Sequence, residues 1–190
     1  NSIKKLRICV SGGASLPVKI IDEFETRFGV PIIEGYGMSE GSPVVTFNQL
    51  AVGRKPGSIG TPIWGVEVKI IDDQGNELPI GEKGELIYRG PNVMKAYYKR
   101  PEETQEVLKN GWMFSGDIAV KDEDGFFFIV DRKKEMIIRG GMNVYPREVE
   151  EVMMRNPDIS MVAVIGIDDE KLGEEIKAFV VKKKESNASE

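Results

Sequence analysis

The chain contains no histidine, and Cys9 is its only cysteine. Ser-His-Asp and Cys-His catalysis, imidazole-ligated metals and cysteine-ligated zinc are thereby excluded. An intrachain disulfide is impossible, which fits a reducing compartment such as the cytoplasm. Cys9 lies in the run Leu6-Arg7-Ile8-Cys9-Val10 and reads as a buried core residue rather than a reactive thiol. No apolar run approaches the roughly 20 residues that a membrane span needs. The formal net charge of −5 supplies no basic footprint for nucleic acid. The amino end, Asn1-Ser2-Ile3-Lys4-Lys5, has neither an initiator Met nor a signal-peptide pattern, so a piece of a longer chain is expected. What remains for chemistry is carboxylates, Lys and Arg, hydroxyls, backbone amides and a hard cation such as Mg²⁺.

With 190 residues, 41% hydrophobic and 30% charged, the chain has the composition of a globular domain, or one and a fraction. Leu6 to Val10 predicts a short buried strand, and SGGAS (11–15) a tight turn. Ser15 is placed to cap a helix with Pro17 in its first turn, an apolar face of Val18, Ile21, Phe24 and Phe28, and Gly29 as its stop. Val30 to Ile33 predicts a second buried strand, parallel to the first. The loop EGYGMSEG (34–41) follows it, beside the first glycine turn. From Gly53 the chain is rich in Gly and Pro, and short strands at 66–71 and 85–88 alternate with turns at 72–76 and 81–84. That spacing predicts a small β-barrel or sandwich, interrupted by a helix from Pro101 to Asn110 that Gly111 stops. Beyond Arg132, Pro146 opens a helix with Val149, Val152 and Met153 on one face, and strands follow at 159–167 and 175–181. The fold class is therefore mixed α/β: the end of an α/β sheet subdomain (1–52), a β-barrel-like subdomain (53–131), and the start of a small α+β domain (132–190). The tail from Lys182 to Glu190 is expected to fray.

The organising stretch is Gly111 to Pro146. A Ser115-Gly116-Asp117 turn opens it, and Asp122-Glu123-Asp124-Gly125 forms a hairpin loop. Asp117 then begins one strand and Arg132 ends its partner. A carboxylate there can accept from paired hydroxyls, and a guanidinium can fork onto ribose or phosphate oxygens. Solvated strand ends are the alternative. In EGYGMSE, Gly35, Gly37 and Gly41 would let amides approach a ligand, Tyr36 offers a flat face, Ser39 a hydroxyl, and Glu40 a hard oxygen for Mg²⁺ beside phosphates. A glycine loop whose Tyr36 fills the core is the alternative there. Arg132-Lys133-Lys134 is either a solvated surface or a hinge between domains.

The ordered set SGGASLP (11–17), EGYGMSEGSP (34–43), GELIYRGPNVMKAYYKRPEET (84–104), GWMFSGD (111–117) and FIVDRKKEMIIRGGMNVYPREVEE (128–151) resembles the adenylate-forming superfamily of acyl-CoA synthetases, luciferases and peptide-synthetase adenylation domains. The likeness spans nearly the whole chain and is greatest to long- or medium-chain fatty-acyl-CoA ligases. It implies a two-step reaction: a fatty acid and ATP give acyl-AMP and pyrophosphate, then CoA displaces AMP. It also implies roles. Gly13 and Ala14 would line the adenine, with Tyr36 stacked on it within the Glu34-Gly35-Tyr36-Gly37 segment and Ile129 nearby. Ser39 would bind the α-phosphate and Glu40 would hold Mg²⁺. Asp117 would take the ribose hydroxyls, and Arg132 the ribose or phosphate. Lys134 matches the family's hinge, and Arg139, Gly140 and Gly141 its pantetheine loop. Homo-oligomerisation is left open.

The chain departs from the family pattern in four places. The upstream phosphate loop and the carboxyl-terminal adenylation lysine are not in the sequence. Ile138 and Gly140 stand where luciferase and plant coumarate ligases carry other residues. The piece alone is accordingly expected not to form acyl-AMP at a useful rate. Two further readings stay open: an acyl-AMP ligase or adenylation domain that loads a carrier protein, and a non-catalytic nucleotide-binding module.

Overall fold

In the computed structural model, residues 5–184 are described. The chain divides into two compact units, Asn1–Ile129 and Val130–Glu190. In the first, β1 (Cys9–Ser11), α1 (Val18–Phe28) and β2 (Ile32–Gly37) make the expected β-α-β unit, with Cys9 paired in parallel to Ile32 and Ser11 to Glu34. Gly29 ends α1 in the left-handed region (φ 64°), and its N–H donates to the Glu25 carbonyl at 2.8 Å. The start of α1 differs from expectation. Pro17 itself is the N-cap, and no side chain caps the helix.

The opening strand is also less buried than its apolar run suggests. Val10 is 64% exposed and Cys9 only half-buried. The run has the composition of a core strand, but among the described residues β1 pairs only with β2, and Ile21 is the one residue of α1 that is buried. The first sheet continues through β3 (Val44–Phe47) and β4 (Thr61–Pro62) in the order β1-β2-β3-β4.

A five-stranded sheet makes up the β-rich part. It contains β5 (Glu67–Ile71), β6 (Gly84–Arg89), β7 (Leu108–Lys109), β8 (Trp112–Lys121) and β9 (Phe127–Arg132), in the order β5-β6-β8-β7 with β9 on β8. Helix α2 is Pro101–Val107, shorter than predicted. Leu108 and Lys109 leave it to pair with Met113 and Trp112 across Asn110-Gly111, whose φ values of 51° and 79° suit a two-residue hairpin turn. Gly111 is thus a hairpin residue and not a helix stop. The core of this unit is formed by Val45, Leu86, Tyr88, Met113 and Phe127, each at most 1% exposed. The bridge between Gly60 and Phe127 ties the loop before β4 to β9.

The second unit holds β10 (Ile137–Arg139), β11 (Met142–Val144), α3 (Pro146–Met153), β12 (Ile159–Asp169) and β13 (Gly173–Lys182), with sheet order β11-β10-β13-β12. The β10–β11 hairpin turns on Gly140-Gly141 (φ 57° and 82°) and was not expected. Val152 is 61% exposed, so α3 turns Pro146, Val149 and Met153 inward without it. Lys182 belongs to β13, and the Lys183 N–H donates to the Asp158 carbonyl at 2.8 Å. The expected fraying therefore does not begin at Lys182, and residues 185–190 lie outside the described residues. No described helix is long and apolar enough to cross a membrane.

Candidate active site

Glu34 to Gly37 are the last four residues of β2 and not a loop, as Gly35 and Tyr36 pair with Phe47 and Thr46 of β3. The glycines at 35 and 37 follow from that pairing. A Cβ on Gly35 would lie 2.2 Å from the Phe47 ring, and one on Gly37 1.7 Å from the Pro43 carbonyl oxygen. Packing by the neighbouring strand, rather than room for a ligand, demands glycine there. The turn at 11–14 does lie alongside, since a Cβ on Gly12 would come 3.2 Å from the Gly35 carbonyl oxygen. Gly13 (φ 83°) and Ala14 are exposed on that turn. Glu34 is buried, and its carboxylate accepts the Gly57 N–H at 2.7 Å.

Ser115, Gly116 and Asp117 lie within β8, where Gly116 (φ 72°) forms an irregularity opposite Glu85 to Ile87 of β6. What the sequence suggested was a turn is a bulge in a continuous strand. Ser115 Oγ donates to the Leu86 carbonyl at 2.6 Å and accepts the Asp117 N–H at 3.1 Å. The bulge re-aims Asp117 so that Tyr36 Oη donates to its Oδ2 at 2.6 Å, across 81 residues of sequence. Burial, and after it the Asp117 charge, pushes the Tyr36 phenol far above its ordinary value. Ile129 is half-buried and packs against the same core.

Ser39, Glu40 and Gly41 form a short 3₁₀ turn directly after β2, with Ser39 exposed and Glu40 half-buried. Tyr97 Oη donates to Glu40 Oε1 at 2.6 Å, and that bond pushes the phenol up to about 12. Tyr88, wholly buried beneath Gly41, is raised by burial and then by the charge of Glu40. The segment 84–104 also supplies Tyr88, Asn92 and Tyr97, whose contacts the motif does not announce; of the adjacent tyrosines, Tyr98 is 85% exposed while Tyr97 is turned inward.

In the second unit, Asp131 is 6% exposed and accepts the Arg132 N–H at 2.7 Å and the Arg147 N–H at 3.0 Å. It serves as an N-terminal anion for α3, a role the sequence reading missed. Arg132 and Lys134 are exposed at the 3₁₀ turn Lys133–Glu135. Arg139 holds Glu175 in a two-point pair at 2.6 and 2.8 Å, while Gly140 and Gly141 form the hairpin turn beside it. No cluster of three potential metal ligands exists among the described residues. A single carboxylate suits Mg²⁺ all the same, because that ion is ordinarily held by one or two carboxylates together with substrate phosphates.

Known proteins share this chain's sequence and fold. The chain is 46% identical over 187 residues to a long-chain-fatty-acid–CoA ligase of Bacillus subtilis, an alignment covering 98% of this chain and 33% of that one. It is 44% identical to a feruloyl-CoA synthase of an Amycolatopsis species, over 94% of this chain and 36% of the relative. It therefore spans about a third of the length of these relatives. The ATP-bound RpMatB-BxBclM chimera B3 superposes with a TM-score of 0.91 at 37% identity, over 95% of this chain and 36% of the chimera. Residues 1–98 match the model of the AMP-binding enzyme family and residues 148–190 that of its C-terminal domain. The chain belongs to the AMP-binding enzyme family.

Proposed function

We propose that the full-length protein is an ATP-dependent fatty-acyl-CoA ligase acting in the cytoplasm. The observation that carries this reading is the Tyr36–Asp117 hydrogen bond, which joins two distant motifs at one point of the fold. Asp117, held by Tyr36, accepts from the ribose hydroxyls of the nucleotide, and the exposed Gly13–Ala14 turn lies against the adenine. Arg132 neutralises ribose or phosphate oxygens. In the first step a carboxylate oxygen of the fatty acid attacks the α-phosphorus, the bond to the bridging oxygen breaks, and pyrophosphate leaves. In the second, the CoA sulfur attacks the acyl carbon, its proton passes to solvent, and AMP leaves. Both nucleophiles belong to substrates, so a chain without histidine needs only to position groups and neutralise charge. Ser39 donates to the α-phosphate, and Glu40 would hold Mg²⁺, whose charge offsets that of the phosphates. Lys134 is the hinge of the domain beginning at 132, and Arg139, Gly140 and Gly141 flank the path of CoA.

The feruloyl-CoA synthase relative at 44% identity favours one second reading, an aromatic acid in place of the fatty acid. Exchange of labelled pyrophosphate into ATP by the full-length protein, with palmitate and with ferulate in parallel, followed by CoA-dependent release of AMP, tests both. Exchange with palmitate is expected. Exchange with ferulate alone selects the aromatic reading, and exchange with neither acid contradicts the ligase reading.

A further inference from the structure

Residues 92–97 form a strap over the Glu40 turn. Asn92 Nδ2 donates to the carbonyls of Gly41 at 2.9 Å and Val44 at 2.8 Å, and the Met94 N–H donates to the Glu40 carbonyl at 2.8 Å. The strap ends in the Tyr97 phenol, 2.6 Å from Glu40 Oε1. Tyr97 is itself held: its N–H donates to Thr104 Oγ1 at 3.0 Å, and that hydroxyl donates to the Arg100 carbonyl at 2.7 Å, in the first turn of α2. Backbone and side chain of Glu40 are thus gripped by the same loop. The floor is close-packed too, because a Cβ on Gly41 would lie 2.9 Å from the buried Tyr88 hydroxyl.

We infer that Tyr97 is a positioning residue that fixes one oxygen of Glu40 and so presents the other to the divalent cation accompanying the nucleotide phosphates. This rests on the reading of Glu40 as a cation ligand given above. A free glutamate on a three-residue turn samples many rotamers, and ordering it on cation binding costs affinity. A charge-assisted bond from a phenol already seated by Thr104 removes most of that cost beforehand.

The test is a titration of the full-length protein with Mn²⁺, bound ion being read by electron paramagnetic resonance, in the presence of α,β-methylene-ATP. Tyr97→Phe is expected to raise the Mn²⁺ dissociation constant about tenfold, the scale of one charge-assisted hydrogen bond. Affinity for the nucleotide in EDTA should stay within about twofold, which a merely structural loss would not leave intact. Thr104→Val, which loosens Tyr97 without touching Glu40, should move the Mn²⁺ constant in the same direction by less. It decides the matter if Tyr97→Phe does not fold. Glu40→Gln separates two failures. If it weakens Mn²⁺ binding while neither strap variant does, the positioning role is wrong. If Glu40→Gln itself leaves Mn²⁺ binding unchanged, the reading of Glu40 as a ligand fails and this inference with it.

Discussion

Tyr36 and Asp117 lie 81 residues apart, and the phenol of the first donates to the carboxylate of the second at 2.6 Å. The contact depends on two local features, the continuation of β2 through EGYG and the bulge at Gly116. Removing the carboxylate in Asp117→Ala is expected to weaken ATP binding by roughly 2–3 kcal/mol, or about 30- to 150-fold, the scale of a hydrogen bond to a charged group. Tyr36→Phe removes only the group that orients it and should cost about 1 kcal/mol. Calorimetric titration of the full-length variants with a non-hydrolysable ATP analogue measures both. Equal losses, or a larger one in Tyr36→Phe, would contradict the order of roles.

The raised Tyr36 phenol predicts a response to alkali. Its value in the folded chain lies above the ordinary 10.0, so the folded state keeps a proton that the unfolded state releases. That stability is fully present below pH 10 and is lost as pH rises above it, by up to about 1.4 kcal/mol per pH unit. The stability difference between wild type and Tyr36→Phe in urea should be constant from pH 7 to 9 and narrow above 10. A difference that holds to pH 11 would show that the phenol titrates alike in both states.

An acid-side counterpart lies in the second unit. The Arg139 guanidinium, followed by the Ile176 N–H, lowers Glu175 to about 2 from the ordinary 4.5. The depressed value means that the pair's contribution is present above the ordinary carboxylate range and is lost as pH falls through about 2. Carbon-detected NMR of the Glu175 carboxyl should show its midpoint move back toward 4.5 in Arg139→Ala. An unmoved midpoint would assign the shift to the backbone donor alone.

Two glycines of the site should respond oppositely in kind. Gly37→Ala must push a Cβ into the Pro43 carbonyl, a backbone clash that no rotamer relieves, and should cost about 2–3 kcal/mol in urea unfolding. Gly13→Ala meets nothing within 4 Å and bears only the strain of a positive φ, about 1 kcal/mol. If Gly37→Ala were the milder change, the pairing of β2 with β3 would be in error.

Sequence alone showed the β-α-β opening, the Asp122–Gly125 hairpin loop and the long strands β12 and β13, because apolar periodicity and turn residues agree there. It misjudged places where glycine serves a purpose other than a loop. EGYG reads as a loop until Phe47 and Pro43 are known to press on it, and nothing local to residues 34–37 announces them. SGD reads as a turn, yet one positive φ inside a paired strand is enough for a bulge. The Asn110-Gly111 pair reads as a helix stop, yet it turns a two-residue hairpin, and Gly140-Gly141 turns a second one. The motifs single out Tyr36, Glu40 and Asp117 as candidates, and the fold joins Tyr36 to Asp117. Their orienting partners are not legible there, since Tyr97 and Ser115 act through contacts that only the folded sheet creates.

The central claim is that the Asp117 carboxylate, aimed by Tyr36, reads the ribose of a bound adenylate. Binding of ATP and of 2′,3′-dideoxy-ATP to the full-length protein and to its Asp117→Asn variant tests it most directly. The wild type should prefer ATP by at least about tenfold, the scale of the lost hydrogen bonds, and Asp117→Asn should abolish most of that preference. A wild type indifferent to the hydroxyls, or a variant that keeps the full preference, would contradict the account.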